Sequence, residues 1–252
     1  MNKFFKKIFI YFSDKYYLKR QADAKFNPVI FYSLKSANPL LRVITSFFPL
    51  ELRKKFSNLV MSSRIVEEPF VLQNIGLERG SKILDIGCAY SKISLELASL
   101  GYQLTGIDLN DYPYTHPNFR FLKGNFLENK FLDSSLDGVI ALSTLEHIGI
   151  DCYGGPLLEE GDKKAVKEIY RILKPGGKFI LTLPFGKRKI MPGQRVYDME
   201  SLDDLLNDFA REKEEFYEYN NDAWLPQKRE LIATIDFSEK HQAVALVVCL
   251  KP

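Results

Sequence analysis

Short apolar runs of strand length alternate with segments of helical periodicity along the last two thirds of the chain. The runs that predict strands cover 83–86, 103–109, 119–125, 136–143, 178–183 and 242–250. Apolar residues recur at helical spacing in 91–100, 163–173 and 201–209, which are the predicted helices between the runs. Alternating strands and helices predict an α/β domain built on a parallel sheet with helices on its faces.

The first run leads into a turn of small residues. Gly87, Ala89 and Ser91 follow the buried run and precede the first predicted helix. A turn without bulky side chains lets backbone N–H groups approach a ligand closely. The second run ends in Asp108, and an acidic group at that position can accept two hydrogen bonds from ribose hydroxyls. These features predict a site for an adenosine-containing cofactor.

A dinucleotide site fits this turn poorly. The fingerprint G-x-G-x-x-G needs glycine at 87, 89 and 92, and the chain has Gly87, Ala89 and Lys92. The chain also lacks a Tyr-x-x-x-Lys pair near the fifth strand. Both absences argue against an NAD-dependent oxidoreductase or epimerase, which stays an alternative function for this chain. A cofactor-binding scaffold without activity is a second alternative, because the turn has lost two glycines.

The chain resembles the class I S-adenosylmethionine-dependent methyltransferases, of the small-molecule (type 11) kind. Their first motif, D/E-x-G-x-G-x-G, stands here as Asp85-Ile-Gly87-Cys-Ala89-Tyr-Ser91. Thr144-Leu-Glu-His147 after the fourth strand and Leu173-Lys-Pro-Gly-Gly177 before the fifth also match the family's order. The resemblance runs from Lys82 to the C-terminus.

The resemblance implies a doubly wound, Rossmann-like sheet of seven strands, mostly parallel with an antiparallel last strand. It implies S-adenosylmethionine as cofactor and methyl transfer as activity. The cofactor-binding residues that it implies are Asp85, Gly87, Cys88, Ala89, Ser91, Asp108, Leu109, Asn125, Phe126 and Ser143.

His147 is the candidate catalytic base. Methyl transfer is an in-line displacement, so the protein must align the acceptor and must deprotonate it if it is a hydroxyl. His147 follows the fourth strand, where ligands of such sheets bind, and imidazole titrates near neutral pH. The alternative is that His147 shapes the pocket or bonds to the backbone. The base interpretation predicts O-methylation of a small polar or glycan-linked acceptor.

Five residues are candidates for acceptor binding. Tyr153 and Asp162 lie in an insert after the Glu-His pair, and this insert resembles that of a methyltransferase subgroup associated with polysaccharide synthesis. The two side chains either bind a sugar hydroxyl or bond within their own turn. Arg195 and Tyr197 follow the basic run 187–189, which suits either a phosphate or plain solvation. Trp224 offers an aromatic wall or a core side chain.

Composition narrows the classes of partner. A net charge of +3 argues against nucleic-acid binding through bulk charge, and the chain lacks an N/D-P-P-Y/F/W motif. Three scattered cysteines suit a reducing compartment, so we expect a cytoplasmic protein. Glu146, His147 and Asp151 are close in sequence, but nothing in their spacing fixes a metal geometry, and we expect no metal.

Residues 1–80 are predicted to form a helical extension or lid, and 81–252 the cofactor-binding domain. Aromatic and aliphatic residues of 5–16 share one helical face flanked by lysines, which suits either packing on the domain or peripheral contact with an anionic membrane. Helices are also predicted at 49–60 and 64–75. Arg64 and Glu67, one turn apart in the latter, either reach the methionine end of the cofactor or form a surface ion pair.

Overall fold

An eight-stranded sheet forms the centre of the computed structural model, which describes residues 62–89, 91–150, 157–220, 223–238 and 241–252. These residues belong to one compact unit, Ser62–Pro252. The predicted N-terminal aromatic helix, the helix at 49–60, and Tyr153 lie outside the described residues.

The strands of this sheet follow the apolar runs closely. They are β1 (Lys82–Ile86), β2 (Gln103–Asp108), β3 (Phe119–Lys123), β4 (Leu136–Leu142), β5 (Leu173–Pro184), β8 (Ala210–Asn220), β9 (Ala223–Pro226) and β10 (Gln242–Leu250). Two short strands, β6 (Lys189–Met191) and β7 (Gln194–Val196), pair separately as an antiparallel ribbon after β5.

Five α-helices accompany the strands in the described residues: α1 (Arg64–Asn74), α2 (Ile93–Ser99), α3 (Gly161–Ile172), α4 (Met199–Leu205) and α5 (Arg229–Ile232). Short 3-10 turns lie at Phe126–Glu128 and Leu145–His147. Within this part of the chain, no helix combines the length and apolar character that crossing a membrane requires.

The strand order is β3-β2-β1-β4-β5-β10-β8-β9. Strands β1 to β5 are parallel, and β10 runs antiparallel to both β5 and β8. The doubly wound class and the antiparallel last strand are therefore confirmed. The sheet has eight strands where seven were predicted, because the chain turns back after β8 and adds β9 as an edge strand.

The core lies between the central strands and α3. Six of the seven residues of β4 are buried, as expected for a strand covered on both faces. The apolar stripe of α3, which includes Ala165, Val166, Ile169 and Ile172, packs into the same cluster. This packing holds the ends of β1 and β4 rigidly side by side.

The chain reverses its direction of travel across the sheet at the β1–β4 pair. From β1 it moves outward to β2 and β3, and then returns to place β4 on the other side of β1. In open α/β sheets, ligands bind in the crevice that this reversal opens at the carboxyl ends of the strands. The turns that follow β1, β2 and β4 are therefore the place to look for a site.

Candidate active site

The turn after β1 depends on glycine at position 87. Gly87 has a φ of 75°, and a Cβ placed on it would lie 2.3 Å from Oγ1 of Thr144. Thr144 follows β4, and its Oγ1 lies 3.0 Å from the carbonyl oxygen of Ile86 and 2.9 Å from that of Leu142. A side chain at 87 would thus break the close approach of the two strand ends.

Cys88 and Ala89 complete the turn and are buried. Burial raises the pKa of the Cys88 thiol above its ordinary range, so the side chain stays neutral and acts as a small apolar group. The turn therefore contributes its backbone and space for a ligand, without a reactive thiolate.

Asp108 joins the first turn to the end of β2. Its Oδ2 accepts a hydrogen bond from the backbone N–H of Ala89 at 2.9 Å, and its Oδ1 accepts one from the N–H of Asn110 at 2.8 Å. The two predicted parts of the cofactor site are therefore in direct contact. Leu109 follows with a partly exposed apolar side chain.

Asp85 and Ser91 lie beneath this turn and help to begin α2. Asp85 is buried and accepts a hydrogen bond from Oγ of Ser94 at 2.7 Å. Burial raises the pKa of Asp85 to about 7, with the nearby Asp108 contributing in the same direction. Oγ of Ser91 accepts a hydrogen bond from the N–H of Ile93 at 3.1 Å. Both side chains thus have internal partners.

Asn125 and Phe126 lie just after β3, where the chain enters the 3-10 turn Phe126–Glu128. Oδ1 of Asn125 caps the following 3-10 turn by accepting a bond from the N–H of Leu127 at 3.1 Å, and Phe126 belongs to the core. The side-chain carbonyl of Asn125, a predicted cofactor-binding residue, therefore already has one partner, although a carbonyl oxygen carries a second lone pair.

A buried ionic cluster lies where β4 ends; it comprises Arg64, Glu67, Ser143 and Glu146. Oγ of Ser143 donates to Oε1 of Glu67 at 2.6 Å, and Nη2 of Arg64 donates to the carbonyl of Leu142 at 3.2 Å. Nη1 of Arg64 lies 3.1 Å from Oε2 of Glu67, which is fully buried. The expected surface ion pair is therefore wrong: α1 packs Glu67 into the crevice.

Oε2 of Glu146 has no hydrogen-bond partner among the described residues, and Nη1 of Arg64 and Oε2 of Glu67 have none beyond the ion pair that they form with each other. Buried polar groups without partners are rare in folded proteins because each loses its hydration. A positive donor beside two acidic acceptors matches the carboxylate and ammonium of a zwitterionic amino-acid group. The cluster thus has the chemistry to hold such a group.

His147 is oriented by the ribbon that follows β5. Its Nδ1 lies 2.5 Å from the carbonyl oxygen of Gly193, in the β6–β7 turn. A carbonyl only accepts, so Nδ1 carries the proton and the lone pair belongs to Nε2. Burial lowers the pKa of His147, and the positive charges of Arg64 and Arg195 act in the same direction. The ring is therefore neutral at neutral pH.

Glu146 lies next to this ring, with Oε1 3.8 Å from Nε2 of His147. Burial raises the pKa of Glu146 to about 8, and the carboxylate of Glu67 adds to the rise. A protonated carboxyl beside a neutral imidazole is therefore the resting state of this pair at neutral pH.

Three predicted acceptor residues meet beside the Leu145–His147 turn. The hydroxyl of Tyr197 donates to Oδ2 of Asp162 at 2.8 Å, and Nε of Arg195 lies 3.7 Å from the same oxygen. Nη1 of Arg195 also donates to the carbonyl of Ile148 at 2.6 Å. Tyr197 and Asp162 are buried and bonded to each other, so the partner of Asp162 comes from outside its own turn.

These three residues line one wall of a cleft of about 870 Å³. The cleft lies between the segment that follows His147, the start of α3, the β6–β7 ribbon and α4. Its walls carry side chains of both charges and several apolar groups. A cleft of this size has room for a small organic acceptor.

Trp224 lies away from this cleft. It is part of β9, is buried, and packs on the ring of Tyr219 with centroids 5.4 Å apart. The position supports the core alternative, because a strand buries the side chains of one face.

Two features of the site escaped the sequence pattern. The hydroxyl of Tyr112 donates to the carbonyl of Ser91 at 2.9 Å and so closes the first turn from the side. The burial of Glu67 and Glu146 also had no sequence signal, since acidic residues are usually exposed. Among the described residues, no group of three or more His, Cys, Asp and Glu side chains is placed to hold a metal; Asp151 lies outside them.

Residues 84–181 match the family model of the methyltransferase domain. The match begins in β1 and ends in β5, and it includes the turn at Gly87, Asp108 and the Glu146-His147 pair. Over these residues the match confirms the predicted resemblance to the class I S-adenosylmethionine-dependent methyltransferases. S-adenosylmethionine is the cofactor that gives this family its name.

The curated relatives of this chain include a sterol 24-C-methyltransferase of Gibberella zeae, 31% identical over 159 residues. That alignment covers 58% of this chain and 35% of the relative, so the chain matches about a third of the relative's length.

Solved structures share the fold. A 1,6-didemethyltoxoflavin-N1-methyltransferase of Burkholderia thailandensis has a TM-score of 0.55 at 15% identity and covers 91% of this chain and 92% of its own. A methyltransferase of Methanosarcina mazei has a TM-score of 0.50 at 21% identity. That match covers 77% of this chain and 99% of the other.

Proposed function

We propose that this methyltransferase binds S-adenosylmethionine at the carboxyl ends of β1, β2 and β4 and methylates an oxygen of an acceptor held in the adjacent cleft. The contact between Asp108 and the N–H of Ala89 carries the proposal, because it brings the ribose-binding carboxylate to the small-residue turn.

The residues of the crevice suit the parts of this cofactor. Asp108 offers two carboxylate oxygens to ribose hydroxyls, and the bare backbone at Gly87 leaves room beside them. Arg64 suits the methionine carboxylate and Glu67 the ammonium, and Oε2 of Glu146, which has no hydrogen-bond partner in the described residues, offers the amino-acid group a further polar contact. Asn125 and Leu109 suit the adenine end.

The chain's own contribution to the reaction is alignment and proton removal. Bound S-adenosylmethionine supplies an activated methyl group on a sulfonium. The ribbon holds His147 through Gly193, with the Nε2 lone pair as the site that takes the acceptor's proton. A neutral resting histidine is what a general base requires.

The class of acceptor has two candidates. The charged walls of the cleft favour a small polar or glycan-linked hydroxyl. A lipid acceptor is favoured by the sterol methyltransferase relatives and by two exposed apolar side chains, Leu157 and Ile190, that line the cleft. An assay with radiolabelled methyl donor and matched panels of sugar and lipid acceptors separates the two.

Cofactor binding is tested by thermal unfolding with S-adenosylhomocysteine or NAD. At 100 times the Kd, a ligand adds about 2.7 kcal/mol of stability, which for a domain of this size raises Tm by roughly 5–10 °C. We expect this rise with S-adenosylhomocysteine and not with NAD.

Asp108→Ala should abolish the ligand-induced rise in Tm, because the ribose hydroxyls lose their acceptor. Asp111→Ala is the matched control: its carboxylate is exposed, pairs with Lys123 at the surface, and lies three residues further along. Each variant is compared by the change in its own Tm on adding ligand, so a difference in stability between the ligand-free variants does not affect the result. An equal rise in both variants, or a rise with NAD, would contradict the proposed site.

A further inference from the structure

The mouth of the acceptor cleft exposes unusually large apolar side chains. Ile190 at the ribbon is 76% exposed and Leu157 is 73% exposed, and both line the cleft. Among the described residues, only Leu132 matches them, and it precedes β4 at the opposite edge of the sheet. Two such groups converging on one opening are more than isolated surface residues, which need no explanation.

Positive charge lies beside these apolar groups. The side chains of Lys187 and Arg188 are exposed and make no hydrogen bond or ion pair within the described residues. The positive charge of Arg188 acts on Asp198 and Asp204 without direct contact, and it contributes to lowering the pKa of both carboxyls. Two neighbouring lysines differ, because each already has acidic partners: Lys189 pairs with Asp236, and Lys163 with Glu160 and Asp204. Glu159, Glu160 and Asp204 are exposed acidic residues of the same rim, and the latter two pair with Lys163.

The ribbon that carries Ile190 is held to the domain on both sides. The N–H of Gly186 donates to the carbonyl of Tyr197 at 2.8 Å, and the carbonyl of Gly193 receives the bond from His147. Ile190 therefore projects from a fixed base, and its exposure is a built feature of the strand. Ile190 thus lies close to two cations that form no hydrogen bond or ion pair in the described residues, and this pairing matches an anionic bilayer, whose interior takes the apolar side chain and whose headgroups attract the cations.

We propose that the cleft mouth, defined as Leu157, Lys187, Arg188 and Ile190, docks on an anionic lipid bilayer. Docking in this orientation turns the cleft toward the membrane surface. An acceptor that lies in the bilayer then enters the cleft without crossing water. The docking step involves no methyl transfer, so it is measured without cofactor, and its failure would leave the proposed enzymatic activity untouched.

The test is co-sedimentation of the full chain with vesicles of phosphatidylcholine alone or with one quarter phosphatidylglycerol, at about 0.1 M salt where the Debye length is ~10 Å. We expect binding to the anionic vesicles, with much weaker binding to the neutral ones. Ile190→Asp should lower the partition coefficient about tenfold or more, because a buried apolar side chain is lost. Leu132→Asp, at the same exposure, is the control and should change it less than about twofold.

The charge contribution has its own matched pair. Lys187→Glu with Arg188→Glu should weaken binding to anionic vesicles about thirtyfold, since each cation near such a surface contributes ~1 kcal/mol. Arg79→Glu with Lys82→Glu makes the same change in net charge at exposed positions by the start of β1, at the opposite edge, and should change binding about threefold or less.

Unchanged melting temperatures will show that the variants are folded. Equal losses in the mouth and control variants would overturn the docking surface, because the effect would then be one of overall charge or hydrophobicity. Binding that is absent, equal on neutral vesicles, or insensitive to both mouth variants would overturn it as well.

Discussion

At the residue scale, the site depends on a few side chains whose protonation is set by burial. His147 is kept neutral and is aimed by Gly193, while Glu146 beside it is kept protonated. The roles of Gly87, Asp108 and His147 in the site stay predictions. Spacing from the strand ends was enough to place all three at the ends of neighbouring strands, on one side of the sheet. It was not enough to predict that Glu67 is buried, because its burial depends on how α1 packs on the end of β4.

The role of His147 predicts a specific kinetic defect. His147→Ala should lower kcat about 10²–10⁴-fold while leaving the affinity for S-adenosylhomocysteine within about twofold. Because burial lowers the pKa of His147, kcat/KM should stay on its plateau as pH falls to 6.5 and decline only below that value. His241→Ala is the control, as that ring is half exposed and pairs with Glu218. A variant that keeps its turnover would show that His147 is not the base.

The close approach at Gly87 predicts a stability difference between two glycines of similar conformation. Gly87 and Gly80 have φ values of 75° and 87°, but a Cβ at 80 meets nothing within 4 Å. Gly80→Ala should cost about 1 kcal/mol from backbone strain, and Gly87→Ala about 2–4 kcal/mol because the clash with Thr144 is added. Urea unfolding measures both; equal losses would mean that the turn has room to relax.

At the element scale, apolar runs predicted the strands from β1 to β5 and the last strand, β10, where burial on both faces leaves a clear pattern. Strand β8 was harder to recognise, because the sequence AREKEEFYEYN buries only Phe216 and is otherwise charged or polar. Its strand conformation comes from pairing with β10 and β9 on its two edges. The β6–β7 ribbon and β9 have three or four residues each, too short for a periodic signal.

The Leu145–His147 turn predicts a pH-dependent stability. The folded-state pKa of Glu146 lies at about 8, above its usual 4.5, so folding favours the protonated form. The stabilisation of the folded state is complete below the usual pKa and is lost as pH rises through the folded one. Glu146→Gln keeps a neutral side chain and should therefore exceed the wild-type Tm by roughly 10 °C at pH 9, with little difference at pH 4.

Glu230→Gln provides the control for this comparison, since Glu230 is exposed at the start of α5. Thermal unfolding at both pH values measures the effect. A Glu146→Gln curve parallel to that of the wild type between pH 4 and pH 9 would show that the carboxyl is charged in the folded protein.

At the scale of the whole molecule, the sheet brings two chemistries to one edge. The turns after β1 and β2 and the ionic cluster after β4 form the proposed cofactor side, and the elements that follow β5 form the proposed acceptor side. The fold class followed from the alternation of strands and helices. The cleft did not, because its walls come from segments distant in sequence whose meeting depends on tertiary packing. His147 follows β4 and is held through Gly193 by the ribbon of the proposed acceptor side.

A crystal structure of the protein with bound S-adenosylhomocysteine tests the central claim most directly. We predict density in the crevice at the carboxyl ends of β1, β2 and β4, with the ribose hydroxyls on Asp108 and the amino-acid group at Arg64 and Glu67. A ligand bound elsewhere, or a crevice that stays closed at saturating concentration, would contradict the account.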